Sequence, residues 1–89
     1  VIKQELAEPD PLRLAYRDVI KETVRQVVTH PEQDERDAVR RRVTAQVPAA
    51  DRDDVAALVV EELRRLHEGV LARYGLRPSE YARWRAGRV

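Results

Sequence analysis

The sequence predicts an all-α fold: a small antiparallel three-helix bundle with a short fourth helix at the C-terminus. Three observations carry that expectation. Apolar residues recur at the helical period over three long stretches, and charged residues fill the opposite faces. Pro11, Pro31, Pro48, Gly75 and Pro78 fall at the ends of those stretches. Charged residues reach 37%, Phe is absent and only 3 Gly are present, a profile that suits helices with solvated faces and leaves no segment for a sheet.

Residues 1–9 show no strong period and read as an arm at the edge of a single helical domain spanning 1–89. Asp10 is placed as an N-cap, with Pro11 at the first helical position, where its missing N–H costs nothing. The first helix is expected from about residue 11 to 28. Leu12, Ala15, Tyr16, Val19, Ile20, Thr23, Val24 and Val27 share one arc, and Arg17, Asp18, Lys21, Glu22 and Arg25 face away. Pro31 ends it, because the residue before a proline disfavours the helical region.

The second helix is expected from about 31 to 47. Glu32, Asp34, Glu35 and Asp37 crowd its start and Arg40, Arg41 and Arg42 lie nearer its end, an order that complements the helix dipole. Its stripe of Val39, Val43 and Val47 is narrow, so it should be the most peripheral of the three. Acidic residues four positions earlier offer salt bridges to its arginines, which reads as a solvated face.

The third helix is expected as one continuous rod from 51 to 74, about 35 Å long. Asp51 caps it, with Asp53 and Asp54 in its first turn. Val55, Ala56, Leu58, Val59, Val60, Leu63, Leu66, Val70, Leu71 and Tyr74 form an arc wider than half the circumference. Gly69 costs ~1 kcal/mol relative to Ala but is expected to leave the helix intact. Gly75 is placed as a left-handed cap with Leu76 as its apolar contact. The fourth helix starts at Pro78 and stops at Gly87.

A chain of 89 residues supports one thin core, which oligomerisation commonly supplements. There is no Cys, so no disulfide, thiolate ligand or thiol nucleophile; a reducing, cytoplasmic setting is the expectation. No membrane-spanning run or signal pattern is present in the sequence, and no membrane partner is expected. Met is absent even at position 1, so the chain reads as a piece of a longer one. The preference for Arg over Lys fits a GC-rich, bacterial genome. Net charge is +1, divided between a front of −4 over residues 1–63 and a tail of +5 over 64–89. That asymmetry suits a solvated surface or head-to-tail contact between copies, and is compatible with an anionic partner at the tail.

The over-wide arc of the third helix carries the leading functional expectation, a non-catalytic protein–protein interaction or homodimerisation module. Its interface would comprise Val55, Val59, Val60, Leu63, His67 and Leu71. His67 sits mid-arc with no second His or carboxylate one turn away, so it reads as a hydrogen-bonded structural residue; no metal or other cofactor is expected.

The alternative rests on ARYGLRPSEYARWR, residues 72–85. Gly75, Ser79, Tyr81, Arg83 and Trp84 stand at spacings that resemble a helix-turn-helix of the transposase and repressor kind. The resemblance implies DNA contacts through Arg77, Ser79, Arg83, Arg85 and Arg88. Three departures weaken it: Leu71 replaces the usual alanine, the preceding helix is long, and Pro78 stiffens the second helix. Arg25 and His30 have the R-x-x-x-x-H spacing and so resemble HEPN ribonucleases. A turn-capping His30 before Pro31 is the reading preferred here. No other nucleophile–base or phosphate-loop pattern is present, and no enzymatic activity is expected.

Overall fold

A computed structural model describes residues 11–87 of the chain. The elements are α1 (Pro11–Ala15), α2 (Arg17–Thr29), α3 (Glu35–Gln46), α4 (Arg52–Arg65) and α5 (Pro78–Gly87). Two 3-10 segments, Ala49–Asp51 and Glu68–Tyr74, flank α4. Among the described residues there is no strand, and no helix is long and apolar enough to cross a membrane. The all-α expectation holds. The expected arm at 1–9 and the Asp10 cap lie outside the described residues.

Helices α2, α3 and α4 each pack on the other two, as a three-helix bundle requires. Their shared core is Ile20, Val24, Val27 and Val28 of α2, Ala38, Val39 and Val43 of α3, and Val55, Leu58, Val59 and Leu63 of α4. Thr23 is the one polar residue buried among them, and its hydroxyl donates to the Val19 carbonyl at 2.7 Å, so burial leaves nothing unsatisfied. Helix α3 buries fewer residues than α2 or α4, as its narrow stripe predicts, yet it packs on both. Ala38 joins the three valines inside, and these compact side chains suffice to seat the helix against both neighbours.

The first expected helix is interrupted at Tyr16, whose backbone leaves helical geometry at φ −111° and ψ 26°. The Tyr16 hydroxyl donates to Asp51 Oδ2 at 2.7 Å, tying this bend to the start of α4. Asp51 therefore spends its carboxylate on tertiary structure and makes no side-chain cap bond. The second helix begins at Glu35 rather than Pro31. Asp34 is its cap, accepting the Asp37 N–H at 3.1 Å, and the preceding residues form a turn with Gln33 N–H donating to the His30 carbonyl.

The largest correction concerns the rod expected over 51–74. Helix α4 ends at Arg65, and Leu66 and His67 are extended, at ψ 131° and 167°. His67 then caps the following 3-10 segment, its Nδ1 accepting the Gly69 N–H at 3.2 Å. A Cβ on Gly69 would stand 3.1 Å from the imidazole, so the glycine makes room for this ring. The break lets the chain turn, and Leu66, Leu71 and Leu76 all reach the core from different directions.

The remaining punctuation is as expected. Gly75 adopts φ 65°, ψ 31°, the Leu76 N–H donates back to the Leu71 carbonyl, and Leu76 is buried. Glu80 reaches back to the Arg77 N–H at 3.2 Å and fixes the start of α5. Helix α5 packs on α2 and on the 3-10 segment, burying Tyr81 and Trp84. Their rings are 5.9 Å apart and tilted at 47°.

Candidate functional site

Helix α4 has three faces, and they do different things. The inward face holds Val55, Leu58, Val59 and Leu63. Of the residues expected at an interface, Val55, Val59, Leu63 and Leu71 are therefore core of the single chain, none more than 3% exposed. His67 lies beyond the end of α4 and is exposed, its Nδ1 accepting the Gly69 N–H. Only Val60 is apolar and open to solvent, at 38%.

The second face meets α1 in a polar seam. Glu62 accepts from both Arg13 and the Tyr74 hydroxyl, and Glu61 lies within salt-bridge distance of Arg13 and Arg65. One carboxylate thus joins α1, α4 and the 3-10 segment. Burial, and then the bond to Glu62, push the Tyr74 phenol up to about 12. A hydroxyl whose pKa is raised by folding stabilises the fold while protonated, and that contribution is lost as pH climbs from 10 towards 12. Thermal stability should fall across that interval, and Tyr74→Phe should flatten the fall. Identical pH profiles for the two proteins would rule out the seam as its source.

The third face of α4 borders a groove shared with α3. Asp53, Ala56, Val60 and Arg64 follow one another at three- and four-residue intervals, so they form a single stripe. On α3, Arg36, Arg40 and Thr44 form one row at four-residue intervals, with Val39 and Val43 in the row beside it. The two stripes line an open cavity of about 840 Å³. Val39, Val43, Ala56 and Val60 are its apolar residues. Arg36, Arg40 and Arg64 stand exposed around them and form no ion pair or hydrogen bond with any described residue. The fourth arginine, Arg52, is occupied by the Val47 carbonyl at 2.9 Å. The salt bridges expected from Glu32 to Arg36 and Asp37 to Arg41 do not form. Glu32 instead lies beside His30, and its carboxyl is held low chiefly by its own backbone N–H.

The residues expected to contact DNA do not share a face. On α5, Ser79 and Arg83 lie on the side away from Tyr81, whereas Arg85 lies on the Tyr81 side, with its guanidinium donating to the Tyr81 hydroxyl at 3.1 Å. Arg83 donates to the Thr29 carbonyl at 3.3 Å. Arg77 precedes the helix and is exposed, and Arg88 lies outside the described residues. The first helix of the resembled motif is replaced by the seven-residue 3-10 segment Glu68–Tyr74. Arg25 and His30 are likewise not brought together for chemistry: Arg25 pairs with Glu22 and His30 with Glu32. Among the described residues, no three His, Asp or Glu side chains gather as a metal site.

The groove between α3 and α4 was not legible as a unit in the sequence. Its signal was present in the two interleaved stripes of Arg and Val, but only the fold sets them side by side. No protein-family model, curated protein or solved structure matches the chain.

Proposed function

We propose that the chain is a non-catalytic helical interaction module, and that it docks a partner protein in the groove between α3 and α4. One observation carries this reading: Val60 is exposed in an open groove whose lining sets Val39, Val43 and Ala56 among charged side chains. Two large apolar residues are exposed among the described residues, and the other, Leu14, lies on α1 beside the end of the described range. An exposed valine alone signifies little. Its setting supports docking, because half-buried Ala56 lies beside it, the core valines Val39 and Val43 form the floor beneath, and arginines surround it. Interfaces are commonly built this way, with an apolar centre inside a polar rim where Arg is enriched.

A second copy of the chain is one possible occupant and gives the homodimer expected from the arc of α4. The DNA-binding reading is disfavoured by the divergence of Arg83 and Arg85 and by their contacts to Thr29 and Tyr81.

Site-specific photocrosslinking in the native cell tests the reading. A photoreactive residue at position 60 or 40 should give a discrete protein adduct, and one at exposed Ala72 or Ala82 should not. Equal labelling at all four positions would refute docking in this groove. A nuclease-sensitive adduct formed at 82 and absent at 60 would transfer the function to α5 and nucleic acid.

A further inference from the structure

We infer that the natural occupant of the α3–α4 groove is an acidic amphipathic helix. This rests on the docking reading above and names the chemistry of the partner. The lining of the groove carries four arginines against three acidic residues, a balance of +1. Arg36, Arg40 and Arg64 have no partner among the described residues. The acidic residues of the same groove are differently placed. Asp34 is used as the cap of α3, Glu35 makes an interaction of its own, and Asp53 sits in the first turn of α4, where the helix dipole offsets it. A partner bearing carboxylates finds three guanidiniums that no described residue pairs with, and a basic partner meets repulsion from them.

The geometry selects a helix. Arg36 and Arg40 are one turn apart on α3, and Val60 and Arg64 one turn apart on α4. The stripe from Asp53 to Arg64 is about 16 Å long at 1.5 Å per residue, three helical turns. A helix laid along it places apolar side chains at i, i+4 and i+7 over Val60 and Ala56, with carboxylates at the flanks reaching Arg36 and Arg40 on one side and Arg64 on the other. Each guanidinium is exposed, so each pair adds modest affinity and most of the selectivity comes from sign.

The experiment uses three capped peptides of about 14 residues, four turns of helix, so as to overhang the groove. All carry Leu at the apolar positions, and the flanking positions are all Glu, all Gln or all Lys. Binding is followed by fluorescence anisotropy in low and moderate salt. The Glu peptide should bind best, the Gln peptide about tenfold more weakly and the Lys peptide least, since three exposed charge pairs together are worth about that factor. The triple variant Arg36→Gln/Arg40→Gln/Arg64→Gln should erase the difference between Glu and Gln peptides and keep the Gln peptide bound. Val60→Gln should weaken both.

Equal binding of Glu and Lys peptides, still lost in Val60→Gln, would overturn the acidic partner and leave the docking groove standing. Binding indifferent to Val60→Gln would overturn both. Sedimentation velocity supplies a further arm: a dimer that dissociates in Val60→Gln would make a second copy the occupant and refute the inference. Tighter binding of duplex DNA than of the Glu peptide, dependent on the three arginines and not on Val60, would also refute it.

Discussion

Val59→Lys should abolish the folded state, and Val60→Lys should leave it nearly untouched. These adjacent valines are chemically identical and differ only in the side of α4 they occupy. Val59 is fully buried, and Val60 is 38% exposed in the groove. A lysine at 59 would place an ammonium in an all-apolar environment with no carboxylate to meet it. The inward residues of α2 and α3 around that core are Ile, Val, Thr and Ala, and the Thr23 hydroxyl is already committed to Val19. Burying an unpaired charge is among the few single changes that cost about 4–5 kcal/mol or more. A domain of this size has only on the order of 5–10 kcal/mol of stability in total. At position 60 the ammonium stays in water, and a surface change of this kind falls within about 0.5 kcal/mol. Circular dichroism melts decide the matter. The expected result is no cooperative transition for Val59→Lys and a Tm within about 4 °C of the parent for Val60→Lys. Cooperative unfolding near the parent Tm in Val59→Lys would mean that Val59 is not core, and the inward face of α4 would have to be reassigned.

The same pair explains how far the sequence could be read. A helical wheel assigns Val55, Val59 and Leu63 to the buried side because their spacing is local and α4 is regular around them. The caps are legible for the same reason: Gly75 with Leu76 and Pro78 with Glu80 are contained within a few residues, and all four behave as their chemistry dictates. The excess width of the apolar arc had a different origin. At about 100° per residue the edges of the arc are Leu58 and Val60, both within α4, and only Leu71 is projected a little further, along an axis that the chain abandons at Leu66; Leu58 is core, so the surplus within α4 reduces to Val60. Gly69 marked a weak point, but the choice to break there depends on His67 capping the next turn and on Leu71 and Leu76 gaining core contacts, which are tertiary effects. The bend at Tyr16 is equally non-local, since its partner Asp51 is 35 residues away. The groove belongs to this second class. Neither stripe shows a site until α3 and α4 are adjacent, and three of its arginines looked like ordinary solvated charge.

Trp84→Ala should be the second most damaging of the changes considered, and its failure would alter the functional reading as well as the fold. Trp84 is 5% exposed. Its ring lies against Tyr81, and it lines one cavity with Leu63 and Leu66 and another with Val27 and Pro31, which places it where α5 meets the end of α2 and the end of α4. Truncating a buried tryptophan costs about 3–5 kcal/mol, because the lost transfer energy is compounded by the cavity left behind. At about 4–8 °C per kcal/mol for a domain of this length, Tm should fall by at least 12 °C. Trp84→Phe should recover more than half of the loss, since it restores most of the apolar volume. In the parent protein, Trp84 emission should be blue-shifted and protected from acrylamide until the melt. A fall smaller than about 4 °C in Trp84→Ala would show that α5 is not part of the cooperative unit. Helix α5 would then be free to present Ser79 and Arg83 elsewhere, and nucleic-acid contact through residues 77–85 would regain the ground that the contacts of Arg83 to Thr29 and Arg85 to Tyr81 now deny it.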